Sequence, residues 1–105
     1  MIKKQERIEI NKRLSDSVYR AQMDIKPQYE DEIVFKKGAM VRFYIESSDD
    51  WVRLRAYGEK ESREQARGKT IVFLFASEIP EGKFARDILR EKIQEKFELR
   101  SGQGL

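Results

Sequence analysis

The chain has 105 residues, which suits one domain, because a single core usually closes within about 50 to 200 residues. Charged residues make up 39% of the sequence, against roughly 25% in an average soluble domain, yet the net charge is only +3. So small a net charge does not indicate a nucleic acid partner by itself; only the distribution of charge could. Cysteine and histidine are absent, which excludes disulfides, thiolate metal sites and histidine general bases.

The sequence also bears on compartment and domain organisation. No apolar run approaches the roughly 20 residues that span a bilayer, and the first residues lack the apolar stretch of a signal peptide. We therefore expect a cytoplasmic protein, or one inside a host cell if it is viral, without membrane insertion. We expect one domain over 1–100 and a flexible tail over 101–105.

The first half of the chain alternates apolar and polar residues, which predicts half-buried strands. Ile8 and Ile10 would share one face of the first strand, although a short helix over 2–14 remains an open alternative. The apolar side of the second strand comprises Tyr19, Ala21, Met23 and Ile25.

Two hairpins are predicted next. Residues 33–35 would pair with 40–45, and Gly38 would supply the positive φ that the turn needs. Residues 40–45 would then pair with 51–57 through the polar turn 47–50. The charged segment 58–69 would form a long loop, which is either a solvated connection or a functional one.

The last third of the chain predicts a strand and a helix. Residues 70–76 form the most apolar segment, typical of a central strand covered on both faces. Ser77 and Pro80 would begin a helix. Its apolar stripe would contain Phe84, Ile88, Leu89, Ile93 and Phe97. The fold class is thus α+β: a bent antiparallel sheet of five or six strands with one C-terminal amphipathic helix packed on its apolar face.

Alternation in the two middle strands defines a candidate site. Successive residues of a strand point to opposite faces of the sheet. If Val41, Phe43 and Ile45 face the core, their neighbours in the strand face away from it, and so do the neighbours of Val52 and Leu54 in the next strand. The outer face would then gather six residues: Arg42, Tyr44, Trp51, Arg53, Arg55 and Tyr57. The charged loop would add Lys60, Arg63 and Arg67 at one end.

This composition admits more than one function. Arginines contact phosphates and stack on bases, and aromatic rings stack on unpaired bases, so the face indicates single-stranded DNA or RNA binding. Strands favour aromatic residues anyway, so the face could instead bind a protein, form a homodimer or be plain surface. We expect no enzyme, cofactor or metal site. Two carboxylate groupings lie near predicted strand ends, Asp24 with Lys26 and Asp49 with Asp50, and a turn explains the second.

Part of the chain resembles a known module. Residues 42–46, 52–58, 70–76 and the closing helix are similar in layout to a PUR-type repeat, the strand-and-helix module of purine-rich-element binding proteins. The resemblance implies single-stranded nucleic acid binding on the sheet face and a helix that assists dimerisation. The layout also resembles the pleckstrin-homology-like fold, which would imply recognition of a peptide, a protein or an acidic head group.

Overall fold

A computed structural model describes residues 2–105, apart from the side chains of residues 65 and 66. Met1, the first residue of the predicted domain, lies outside the described residues. The α-helices and strands, in chain order, are α1 (Lys4–Ser15), β1 (Val18–Ala21), β2 (Met40–Ser47), β3 (Trp51–Gly58), α2 (Arg63–Ala66), β4 (Lys69–Phe75), α3 (Ala85–Lys96) and β5 (Phe97–Ser101), with a short 3₁₀ helix (Ala76–Glu78) after β4. Within this part of the chain, no helix has the length and apolar character needed to cross a membrane.

The five strands form one curled antiparallel sheet in the order β4-β3-β2-β1-β5. This confirms the predicted α+β class and the bent antiparallel sheet. The inner face buries Phe43 and Ile45 of β2 together with Leu54 of β3. Leu89 and Ile93 of α3 belong to the same core, so α3 packs on this face. Residues of the N-terminal helix, Ile10 and Leu14, belong to it too, so the prediction of one covering helix is only partly confirmed.

The first predicted strand is wrong, and the alternative helix is present as α1. Ile10 and Leu14 lie one turn apart and are fully buried, whereas Ile8 is 48% exposed, which a shared strand face does not allow. Helix α1 lies beside the half of β2 that β1 is too short to pair. There the Asn11 side chain replaces a strand, donating to the Ile45 carbonyl at 2.9 Å and accepting from the Ile45 N–H at 2.7 Å.

The segment between β1 and β2 is more irregular than predicted. Residues 33–35 form no strand, and only a single bridge joins Ile25 to Phe35. Gly38 does adopt a positive φ of 92° in the turn that follows. The predicted central strand over 70–76 is instead the edge strand β4, since β3 is its one neighbour in the sheet formed by residues 2–105. It is not covered on both faces: Ile71 and Leu74 are buried in the core, whereas Phe75 is exposed.

The C-terminal region differs from prediction at both of its ends. Helix α3 begins at Ala85 rather than near Pro80, and Phe84 precedes it with 72% of its surface exposed, outside the apolar stripe. Phe97 begins β5, which pairs with β1.

The predicted flexible tail over 101–105 instead packs against β1. The Gly104 N–H donates to Ser17 Oγ at 2.9 Å, and the Leu105 N–H donates to the Tyr19 hydroxyl at 3.1 Å. Leu105 is buried in the core, and its main-chain oxygen accepts from Arg90 Nε. These contacts fix the tail because main-chain groups withdrawn from water need hydrogen-bond partners.

Candidate functional site

The register of β2 and β3 places the six residues of the outer face on the same side of the sheet. Arg42 lies opposite Tyr57, Tyr44 opposite Arg55, and Glu46 opposite Arg53. Directly paired residues share a face, so these side chains point away from α3. The outer face is therefore the side of the sheet that neither Phe43 nor Leu54 occupies.

Strand β4 adds two aromatic rings to the outer face. Phe73 lies opposite Arg53, and Phe75 lies opposite Trp51. The Trp51 and Phe73 rings stack with centroids 5.3 Å apart and planes 25° apart, and Phe75 meets Phe73 edge-on at 5.0 Å. We call Trp51, Phe73 and Phe75 the aromatic cluster. Sequence reasoning missed the two phenylalanines because it treated 70–76 as covered on both faces, although their alternation with Leu74 was visible.

A carboxylate orients two arginines beside the aromatic cluster. Glu46 Oε1 accepts from Arg53 at 2.9 Å and from Arg55 at 3.2 Å. The Arg53 guanidinium carbon also lies 5.6 Å from the centroid of the Trp51 ring, within the range of a cation–π contact. Arg53, Glu46 and Arg55 form what we call the first arginine cluster, in which one carboxylate orients both guanidinium groups.

Tyr44 and Tyr57 lie on the outer face but are only 6% and 7% exposed. The loop after β3 folds over the part of the outer face around Tyr44. The Arg63 guanidinium lies 4.0 Å from the centroid of the Tyr44 ring, and the Tyr44 hydroxyl donates to the Arg67 carbonyl at 3.0 Å. Burial leaves neither ring with an open face on which a base could stack, and the part of these two tyrosines in nucleic acid binding stays a prediction.

The other predicted cations have separate placements. Arg42 turns toward the end of α1, where it donates to the carbonyls of Ser15 at 2.8 Å and Ser17 at 3.3 Å. A cation suits this position because the C-terminus of a helix carries partial negative charge. Lys60 and Arg67 are exposed on the loop.

A second group of charges lies on the outer face at β1 and β5. Arg20 donates to Glu98 at 2.7 Å, and Arg100 contacts the same carboxylate at 3.3 Å. Hydrogen bonding from Arg20, reinforced by its charge, lowers the pKa of the Glu98 carboxyl below its ordinary value of 4.5. Arg20, Glu98 and Arg100 form the second arginine cluster. Sequence reasoning missed it because β5 was read as the end of the helix.

Among residues 2–105, no three acidic side chains are grouped to hold a metal ion. Comparison of the chain with protein-family models, curated protein sequences and solved structures found no match. The resemblance to a PUR-type repeat therefore stays a prediction.

Proposed function

We propose that this protein binds single-stranded nucleic acid on the open half of the outer face, formed by the aromatic cluster and the first arginine cluster. The observation that carries the proposal is the contact between Trp51, its stacked neighbour Phe73 and the Arg53 guanidinium. Base–aromatic stacking contributes about 1 to 3 kcal/mol per base without sequence preference. Phe75, 45% exposed, is the most accessible ring for this contact.

The arginines supply the contacts to phosphate. A guanidinium has five N–H donors, and Glu46 engages one nitrogen each of Arg53 and Arg55. One carboxylate cannot balance two guanidinium groups, so the first arginine cluster keeps a positive charge beside the rings. Proteins that bind single strands combine a positive backbone track with aromatic platforms in this way.

A titration of the protein with short single-stranded DNA and RNA, at low and moderate salt, tests the proposal. Binding is followed by the fluorescence of Trp51, the only tryptophan in the sequence, and by the anisotropy of a labelled oligonucleotide. Phe75→Ala should weaken binding by about 5-fold or more through lost stacking. Arg53→Ala should weaken binding and reduce the slope of log K against log salt by about 0.7.

Matched controls keep the result specific. Phe84→Ala removes an exposed ring outside the sheet, and Lys92→Ala removes an exposed charge from α3, so neither should change binding. Failure of the wild-type protein to bind either kind of strand at low salt would refute the proposal.

The second candidate is a face that docks a protein partner, including a second copy of this chain. The partly exposed aromatic cluster beside arginine favours it, because tryptophan and arginine are enriched among the residues that dominate protein interfaces. The partner would approach the face rather than extend the sheet at β4. The Phe73 N–H there donates to Gln28 and the Phe75 N–H to Glu78, which occupy that edge. Association that tolerates salt and is lost in Phe75→Ala would favour this candidate.

A further inference from the structure

The outer face continues from the open half toward the other edge of the sheet, formed by β1 and β5. Arg20 lies opposite Met40, so it shares a face with Arg42, two residues further along β2. Glu98 lies opposite Arg20, and its contact with Arg100 keeps that arginine on the same side. The second arginine cluster therefore belongs to the same surface as the first.

The two arginine clusters share one arrangement. In each, a single glutamate receives two arginines from the outward positions of the strands, at 2.9 and 3.2 Å in the first cluster and 2.7 and 3.3 Å in the second. Together with Arg42, these outward strand positions hold five arginines and two glutamates. None of the basic residues at these paired positions is a lysine. Half of the 22 basic residues of the chain are lysines. Arginine is the side chain that recognises phosphate with a planar set of donors.

The two clusters are separated by a distance that one ligand can span. Arg55 and Arg20 are two strands apart across the sheet and four positions apart along β2. At about 4.8 Å per strand and 3.4 Å per residue, their backbones are about 17 Å apart. Arg42 and the Arg63 guanidinium above Tyr44 lie between them, so the path from one cluster to the other carries cations throughout.

We propose that Arg20 and Arg100 contact phosphates at the far end of the same interface, so that one nucleic acid strand crosses the outer face diagonally from the aromatic cluster to β5. This inference rests on the proposed function. The rise of one strand in a duplex, roughly 3.4 Å per nucleotide, is the least that an unpaired strand adopts, so at most about five nucleotides separate the two arginine clusters. The full site also includes the aromatic cluster and needs a longer strand. The proposed ligand is a polyanion because the outward strand positions hold five guanidinium groups against two carboxylates.

The test compares an oligonucleotide of about 3 nucleotides, which covers the aromatic cluster alone, with one of about 10, which is long enough to reach both arginine clusters. The variant Arg20→Ala/Arg100→Ala should bind the long strand more weakly, with a salt slope smaller by about 1.4, which corresponds to two lost phosphate contacts. Its affinity for the short strand should equal that of the wild type, because a short strand on the aromatic cluster does not reach β5.

The control variant Lys83→Ala/Lys92→Ala removes the same amount of charge outside the sheet and should bind both strands normally. Unchanged affinity of Arg20→Ala/Arg100→Ala for the long strand, while Arg53→Ala still weakens it, would overturn the inference and leave the proposed function standing. Absence of binding by the wild-type protein would overturn both.

Discussion

At the scale of single residues, Gly102 marks the tightest backbone approach. Its φ is +84°, and a β-carbon there would lie 2.6 Å from the Asp16 carbonyl oxygen and 2.7 Å from Ser17 Cα. Gly38 has a similar φ of +92° with nothing within 4 Å of such a β-carbon. The two glycines therefore separate the cost of backbone strain from the cost of a steric clash.

We expect Gly38→Ala to lower the free energy of unfolding by about 1 to 2 kcal/mol, the strain of a left-handed alanine. Gly102→Ala should lower it by about 3 kcal/mol or more, because the clash with main-chain atoms adds to that strain. Urea denaturation of both variants measures the difference. Equal losses would mean that the tail does not pack closely against the start of β1.

Glu98 offers a direct measurement on the second arginine cluster. Because its pKa is lowered in the folded protein, its contribution to stability is present above the unfolded pKa near 4.5 and is lost as pH falls through the folded value. NMR titration should show the Glu98 pKa rising toward its ordinary value in Arg20→Ala. The rise should be smaller in Arg100→Ala, whose guanidinium is farther from the carboxylate. A pKa unchanged by Arg20→Ala would contradict the ion pair.

The candidate site shows which residue properties were predictable. The side of the sheet that Arg53 and Arg55 occupy follows from local alternation, which the strand backbone imposes. The burial of Tyr44 and Tyr57 does not, because it depends on how the loop carrying Arg63 folds back over them. That fold depends on contacts between residues about 20 positions apart, for which the sequence has no periodic signal.

At the scale of elements, α1 completes the sheet through the side chain of Asn11. We expect Asn11→Leu to lower the free energy of unfolding by about 1 to 3 kcal/mol, because the N–H and carbonyl of Ile45 lose their partners. Hydrogen exchange at the Ile45 amide should accelerate, whereas Lys12→Leu, on the exposed side of the same helix, should leave it unchanged. Exchange at Ile45 that is equal in the two variants would argue against this role for Asn11.

Two elements were mispredicted because local patterns are ambiguous over short stretches. Ile8 and Ile10 mimic strand alternation, and only the burial of Ile10 with Leu14 selects the helical period. Phe97 follows Ile93 at a helical spacing, so β5 looked like a continuation of α3. Its pairing with β1 joins residues nearly 80 positions apart, such as Arg20 and Glu98.

At the scale of the whole molecule, the fold class was predictable and the use of its two faces was only partly so. The long apolar stripe of α3 and the strong alternation in β2 and β3 determine a sheet with one covered face. The outer face extends from Phe75 on β4 to Arg100 on β5. These two strands are the opposite edges of one continuous sheet, so their outward residues belong to one surface. The small net charge of +3 hides this uneven distribution of arginine.

The replacement of a strand by Asn11 also has a consequence for how the protein could aggregate. Within residues 2–105, the half of β2 beyond β1 pairs with no strand on that side, and α1 shields its hydrogen-bonding groups. If α1 melted or were cleaved away, an apolar stretch containing Phe43 and Ile45 would become an open template for intermolecular β-sheet growth. The twelve residues of α1 thus cover hydrogen-bonding groups of the central strand that would otherwise be open to another chain.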